Sequence, residues 1–164
     1  MSHELSVGRP VVALLAAVGV LALAGCTPEP VDPAAVDRWS ASSDAAVEHD
    51  DDLLAVLSAQ VGAGKTEERE RGSVAMTFAA PAEVDAVEFS CFGDGTMSGM
   101  LLLDARSTSR SLGLEPLQCG DGPHRLRVPA TWRHHVDRVS FGAGDSTADS
   151  AWQLTVRGSG GAAD

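Results

Sequence analysis

The sequence predicts a mainly β chain: an antiparallel β-sandwich of about seven strands, with a jelly-roll arrangement left open, preceded by an Ala-rich helical segment. Three observations predict it. From Gly72 onward, short runs alternate apolar and polar residues between clusters of Gly, Pro, Asp and Ser. About seven such runs fall within roughly 87 residues, which is sandwich density. Ahead of them, residues 34–61 are rich in alanine and hold no glycine or proline, the composition of a helix rather than a strand.

The 164 residues, 44% hydrophobic and 21% charged, fit one domain with appended segments. With 12 basic against 23 acidic residues the net charge is −11, so no nucleic-acid partner is expected; that interaction depends on cationic side chains displacing counterions from phosphate.

At the amino terminus Arg9 precedes Val11–Gly25, fifteen residues without charge, which is a signal-peptide layout. The run is shorter than the roughly 20 apolar residues a spanning helix needs. It ends in "LALAGC", and Leu23, Ala24, Gly25 and Cys26 resemble the lipobox of bacterial lipoproteins. The resemblance implies a diacylglycerol thioether on Cys26, cleavage after Gly25, and a cell-membrane anchor facing the extracytoplasmic side. Residues 1–25 are then a signal peptide. Two acyl chains suffice for stable anchoring, at about 0.8 kcal/mol per buried CH₂.

Residues 26–33, with "TPEPVDP", read as a lipidated cysteine and a Pro-rich, semi-rigid tether. Asp32 before Pro33 marks a helix start, with the carboxylate as cap and proline where its missing N–H costs nothing. The helical segment is expected over residues 34–64. Val36, Trp39, Val47, Leu54, Leu57 and Val61 fall near one face, Ser43 and Asp50 interrupt that stripe, and Gly62 and Gly64 give a stop. "KTEERERG", residues 65–72, has nothing to bury and is expected to be an exposed connection.

Residues 73–158 carry the expected sandwich. Val74, Met76 and Phe78 alternate with polar or small neighbours, "PAEVD" is expected to turn, and Val87, Phe89 and Cys91 alternate again. "MLLLDA" is apolar throughout, suiting a central strand covered on both faces. Pro116 places "SLGLEPLQC" at an edge or a bulge. "HRLRV" sets Leu126 and Val128 opposite Arg125 and Arg127. "HVDRVSF" offers Val139 and Phe141, and "AWQLTV" offers Trp152, Leu154 and Val156. Residues 159–164 read as a flexible tail.

With Cys26 assigned to the lipid, Cys91 and Cys119 remain as an even pair in an exported chain, and a disulfide is expected between them. Neither CxxC spacing nor clustered histidine supports a redox or zinc reading. His134 and His135, being adjacent, would point to opposite faces of a strand and are read as an exposed polar turn. "EHDDD", Glu48–Asp52, is read as a solvated helix face or cap rather than a cation site. Asp94 and Asp121 each lie in a "GDG" turn after a paired cysteine; whether those turns meet and hold calcium is left open.

No nucleophile elbow, phosphate loop or zinc-protease helix occurs, so no catalytic residue, metal or cofactor beyond the lipid is expected. The expected role is a non-catalytic binding module for an envelope protein or glycan, with Arg125, Arg127, Trp132 and Arg133 as the candidate partner surface. A purely structural envelope lipoprotein is the alternative, and a paired-carboxylate hydrolase a more remote one.

Overall fold

A computed structural model describes residues 31–64 and 73–161. The signal-peptide, lipobox and tether expectations for residues 1–30, the charged connection at 65–72 and residues 162–164 of the tail lie outside the described residues. Within them the chain is mainly antiparallel β, with one helix: α1 (Pro33–Val47), β1 (Leu53–Val61), β2 (Ser73–Cys91), β3 (Thr96–Ala105), β4 (Thr108–Gln118), β5 (His124–Arg125), β6 (Val136–Ser146) and β7 (Ser150–Gly160). A single 3-10 turn, Ala130–Trp132, precedes β6. Among the described residues no helix is long and apolar enough to cross a membrane.

The strands form one sheet in the order β1-β7-β2-β6-β3-β4, with β5 paired to β2. The 19-residue β2 links its two halves. Its first residues pair with β6 and its last with β7, and Ala82 sits opposite both Val136 and Gly160. The sheet folds over at this point. Phe89 on the second half of β2 comes within 5.1 Å, ring centroid to centroid, of Phe141 on β6, and Phe141 lies 4.8 Å from Trp152 on β7. All three rings are fully buried, with Leu57, Leu101, Leu103, Val139 and Leu154 around them. The arrangement is compatible with the expected sandwich.

Among the described residues seven strands are present, but not the seven expected. "PAEVD" does not turn: it is part of β2, and register shifts on either side of Ala82 carry the strand from one neighbour to the other. Pro81 lacks an N–H for the ladder and is tolerated at this corner, where β2 changes partners. The lost strand is replaced by β1. The helical segment expected over 34–64 ends at Val47, and residues 53–61 form a strand that pairs with β7. A short apolar run satisfies both periods: Leu54, Leu57 and Val61 are spaced as on a helix, while Ala55 and Leu57 alternate into the core. Tertiary pairing with β7 decides between them.

The helix start is as the sequence predicts: the Asp32 carboxylate accepts the Ala34 N–H at 3.0 Å and Pro33 opens the first turn. "MLLLDA" does lie between two strands, β6 and β4, yet only Leu101 and Leu103 face the core; Met100 is 49% exposed. The strand buried on both faces is β7, where Ser150–Val156 are all buried. Its inward face meets the aromatic cluster. Its outward face lies beneath α1, with Asp44 accepting the Gln153 Nε2–H at 2.9 Å. The strand also continues to Gly160, past the expected start of the tail.

Candidate binding surfaces

Cys91 ends β2 and Cys119 follows β4, and their sulfurs are bonded at 2.07 Å with Cα atoms 4.6 Å apart. This disulfide joins the two halves of the sheet at one end of the molecule. It also brings the two "GDG" turns together. Gln118 Nε2 donates to the Asp94 and Gly95 carbonyls at 2.6 and 3.2 Å, and the Cys119 N–H donates to the Gly95 carbonyl at 2.9 Å. The turns therefore meet through backbone carbonyls. Among the described residues no group of three His, Cys, Asp or Glu side chains is placed to hold a metal ion.

An open cleft of about 910 Å³ lies beside the disulfide, between α1 and these turns, with Trp39, Ser43, Phe92, Asp94 and Asp149 in its lining. Trp39 and Phe92 form a tilted pair with centroids 6.0 Å apart. Part of the lining already has structural duties: Asp149 accepts the Ala63 N–H at 2.8 Å, and Thr147 Oγ1 accepts the Thr96 N–H at 2.8 Å. A smaller recess of about 220 Å³ continues beneath the helix, past Ser43 and Ser90 to Arg157.

"EHDDD" is not a helix face. It is the turn between α1 and β1, and it is partly committed. Asp50 accepts from Arg157 Nε, and Glu88 accepts from Arg157 Nη1 at 2.6 Å. The Arg157 hydrogen bond holds the Asp50 carboxyl below the usual carboxylate range; burial opposes it, and the N–H of Asp52 adds a lesser contribution in the same direction as Arg157. Arg157 itself is pushed upward by the same two carboxylates. This network pins the end of α1 to the outer face of β7 and β2.

His134 and His135 do lie in a turn, yet they converge on one carboxylate instead of diverging. His135 takes a positive φ of 54°, which breaks strand alternation. His134 Nδ1 then stands 2.5 Å from Glu83 Oε2, and the His135 N–H donates to Glu83 Oε1 at 3.1 Å. Hydrogen bonding from His134 is the first cause of a Glu83 carboxyl held below its ordinary value, followed by the His135 N–H. A group depressed in the folded state stabilises it fully above its unfolded value, here 4.5, and that contribution fades as pH falls through the folded value. Thermal melts between pH 2 and 6 are therefore expected to show a smaller acid loss in Glu83→Gln than in the parent; equal losses would remove Glu83 as a source.

The four residues nominated for partner binding divide. Arg133 is spent on the fold: its Nε and Nη2 donate to the Val128 carbonyl at 2.8 and 2.5 Å, and Nη1 reaches the Asp85 carbonyl at 3.3 Å. Trp132 is half-buried, with the Arg110 guanidinium 6.0 Å from its ring, while Arg110 Nη1 donates to the Thr131 carbonyl at 2.5 Å. Arg125 and Arg127 are exposed and, among the described residues, make no ion pair.

These two arginines line a groove of about 340 Å³ between β4 and residues 124–127. The groove exists because, among the described residues, β4 and β5 each pair on one side only, β4 with β3 and β5 with β2. Leu112, Leu114 and Leu117 face inward from β4, opposite Leu101, Gly99 and Met97 in register, and stay half-buried while those partners' neighbours in the core are sealed. Leu126 closes the floor and Glu115 shares the rim. The sequence exposes the arginines and the period of the leucines; it does not show that Thr108–Gln118 and His124–Arg125 border the same opening, because they pair with different strands. Comparison with protein-family models, with curated proteins and with solved structures finds no match to this chain.

Proposed function

We propose that this chain is a lipid-anchored, extracytoplasmic bacterial lipoprotein that acts as a non-catalytic binding module. The observation that carries the reading is the Cys91–Cys119 bond. A buried disulfide belongs to proteins made in an oxidising compartment, and with Cys91 and Cys119 bonded to each other, Cys26, at the end of "LALAGC", is the remaining cysteine of the three. A thiol at that point suits acylation. The Pro-rich residues 27–33 then separate the lipid from a body whose helix begins at Pro33. The binding role is supported by the arginine-lined groove at the unpaired β4 edge, a half-buried apolar surface left open where the rest of the core is closed.

The anchor is tested by mass spectrometry and phase partitioning of the parent chain against Cys26→Ala, expressed in a bacterium that processes lipoproteins. The parent is expected to lose residues 1–25, gain the mass of the acyl groups and enter the detergent phase; Cys26→Ala is expected to do neither. Identical masses, with both proteins in the buffer, would overturn the anchor.

A further inference from the structure

We infer that the groove between β4 and β5 takes an extended peptide of alternating apolar and acidic residues, added as a strand to the free edge of β4. This deepens the binding-module reading and rests on it. Two features of the groove select an extended chain. Its walls are strand edges, each paired on one side only among the described residues, so backbone N–H and C=O groups of a peptide can complete a ladder there. Its inner surface is a row of leucines, Leu112, Leu114 and Leu117, which fits side chains arriving at the two-residue period of a strand.

Charge selects the other half of the peptide's chemistry. The chain carries a net charge of −11, yet the rim of this groove presents Arg125 and Arg127, exposed and without an ion-pair partner among the described residues. Glu115 is the one acidic residue in the lining. On a chain of net negative charge, these arginines favour carboxylates spaced between the apolar residues, with guanidinium–carboxylate pairing as the recognition chemistry. Pro116, which brings no N–H, limits the addition to residues 108–115 and protects the remainder of the edge.

The test uses the full chain in detergent solution and a capped nine-residue peptide alternating valine with glutamate. Binding is expected by titration, with slowed hydrogen exchange confined to residues 108–115 and 124–127. Arg125→Glu with Arg127→Glu is expected to weaken it at least tenfold, and the matching valine–lysine peptide is expected not to bind. Both arginines are exposed, so the double variant should melt with the parent, which separates lost binding from lost folding. Three results would each overturn the proposal: no binding at millimolar peptide, equal binding of the lysine peptide, or protection at residues 39–43 and 92–95, which would place the contact in the disulfide cleft. Concentration-dependent dimerisation that occupies β4 and excludes the peptide would also overturn it, in favour of a second copy. None of these outcomes bears on the Cys26 anchor, so failure of the groove and failure of the lipoprotein reading are distinguishable.

Discussion

Replacing Cys91 and Cys119 together with serine is expected to cost the folded chain about 3 to 4 kcal/mol, the value the chain-entropy account assigns to a loop of this length. The bond closes 28 residues that contain β3 and β4, the outer hairpin of the sheet. Without it, the unfolded ensemble regains the freedom of that loop, while the native hairpin keeps its pairing to β6. Since domains of this size are stable by only about 5 to 15 kcal/mol, a large fraction of the total is at stake. Guanidinium unfolding distinguishes the source of the loss. A constraint acting on the unfolded state predicts a lower midpoint together with a steeper dependence on denaturant, because the uncrosslinked chain exposes more surface. A shift below about 1 kcal/mol on reduction would show that the hairpin is held by its ladder and core contacts alone.

The same bond explains how far the sequence could be read. Two cysteines in a chain whose sequence reads as exported argue for a bridge without any knowledge of the fold, since chemistry and the expected compartment suffice. Alternation likewise locates Val139, Phe141, Trp152, Leu154 and Val156, all of them fully buried. What could not be read is whatever depends on a neighbour far along the chain. Residues 53–61 carry both a helical and a strand spacing, and the partner that settles the matter, β7, lies about a hundred residues later. Pro81 and Glu83 read as a turn because the sequence does not announce that β2 must cross from β6 to β7 at that point.

The surroundings of the four nominated residues were legible only in part, for the same reason. Arg125 and Arg127 alternate with buried Leu126 and Val128, so their exposure follows from the period alone. Arg133 has no such context. Only the fold places the Val128 and Asp85 carbonyls around its guanidinium and commits that guanidinium to backbone hydrogen bonds. Arg110 was not singled out, since nothing local distinguishes it from other strand arginines, yet it lies over Trp132. A trace of that pairing is in the register: Arg110 stands opposite core-facing Leu103, which aims it beneath the sheet and toward Thr131.

Gly158→Ala is expected to be among the most damaging single substitutions in the chain, and Gly113→Ala among the mildest, though both glycines lie in strands. Gly158 pairs opposite Val84, at the register shift where β2 passes from β6 to β7. A Cβ there would stand 1.9 Å from the Glu83 carbonyl oxygen and 2.9 Å from Leu54 Cδ1. The first of these is backbone. It cannot rotate away, and Glu83 is further held by His134 and His135, so relief requires moving β2 or lifting β7. The Gly158 N–H also donates to the Asp52 carbonyl at 2.8 Å, tying the same residue to the turn before β1. Overpacking of this kind costs about 3 kcal/mol, or more where no side chain can yield. A Cβ on Gly113, in contrast, meets nothing within 4 Å, and alanine there restricts the unfolded chain without crowding the folded one. Chemical denaturation of the two variants is expected to place Gly158→Ala well below the parent and Gly113→Ala at or about 0.5 kcal/mol above it. If Gly158→Ala unfolds with the parent, β2 and β7 do not approach this closely, and the corner at Ala82 that folds the sheet over on itself must be drawn differently.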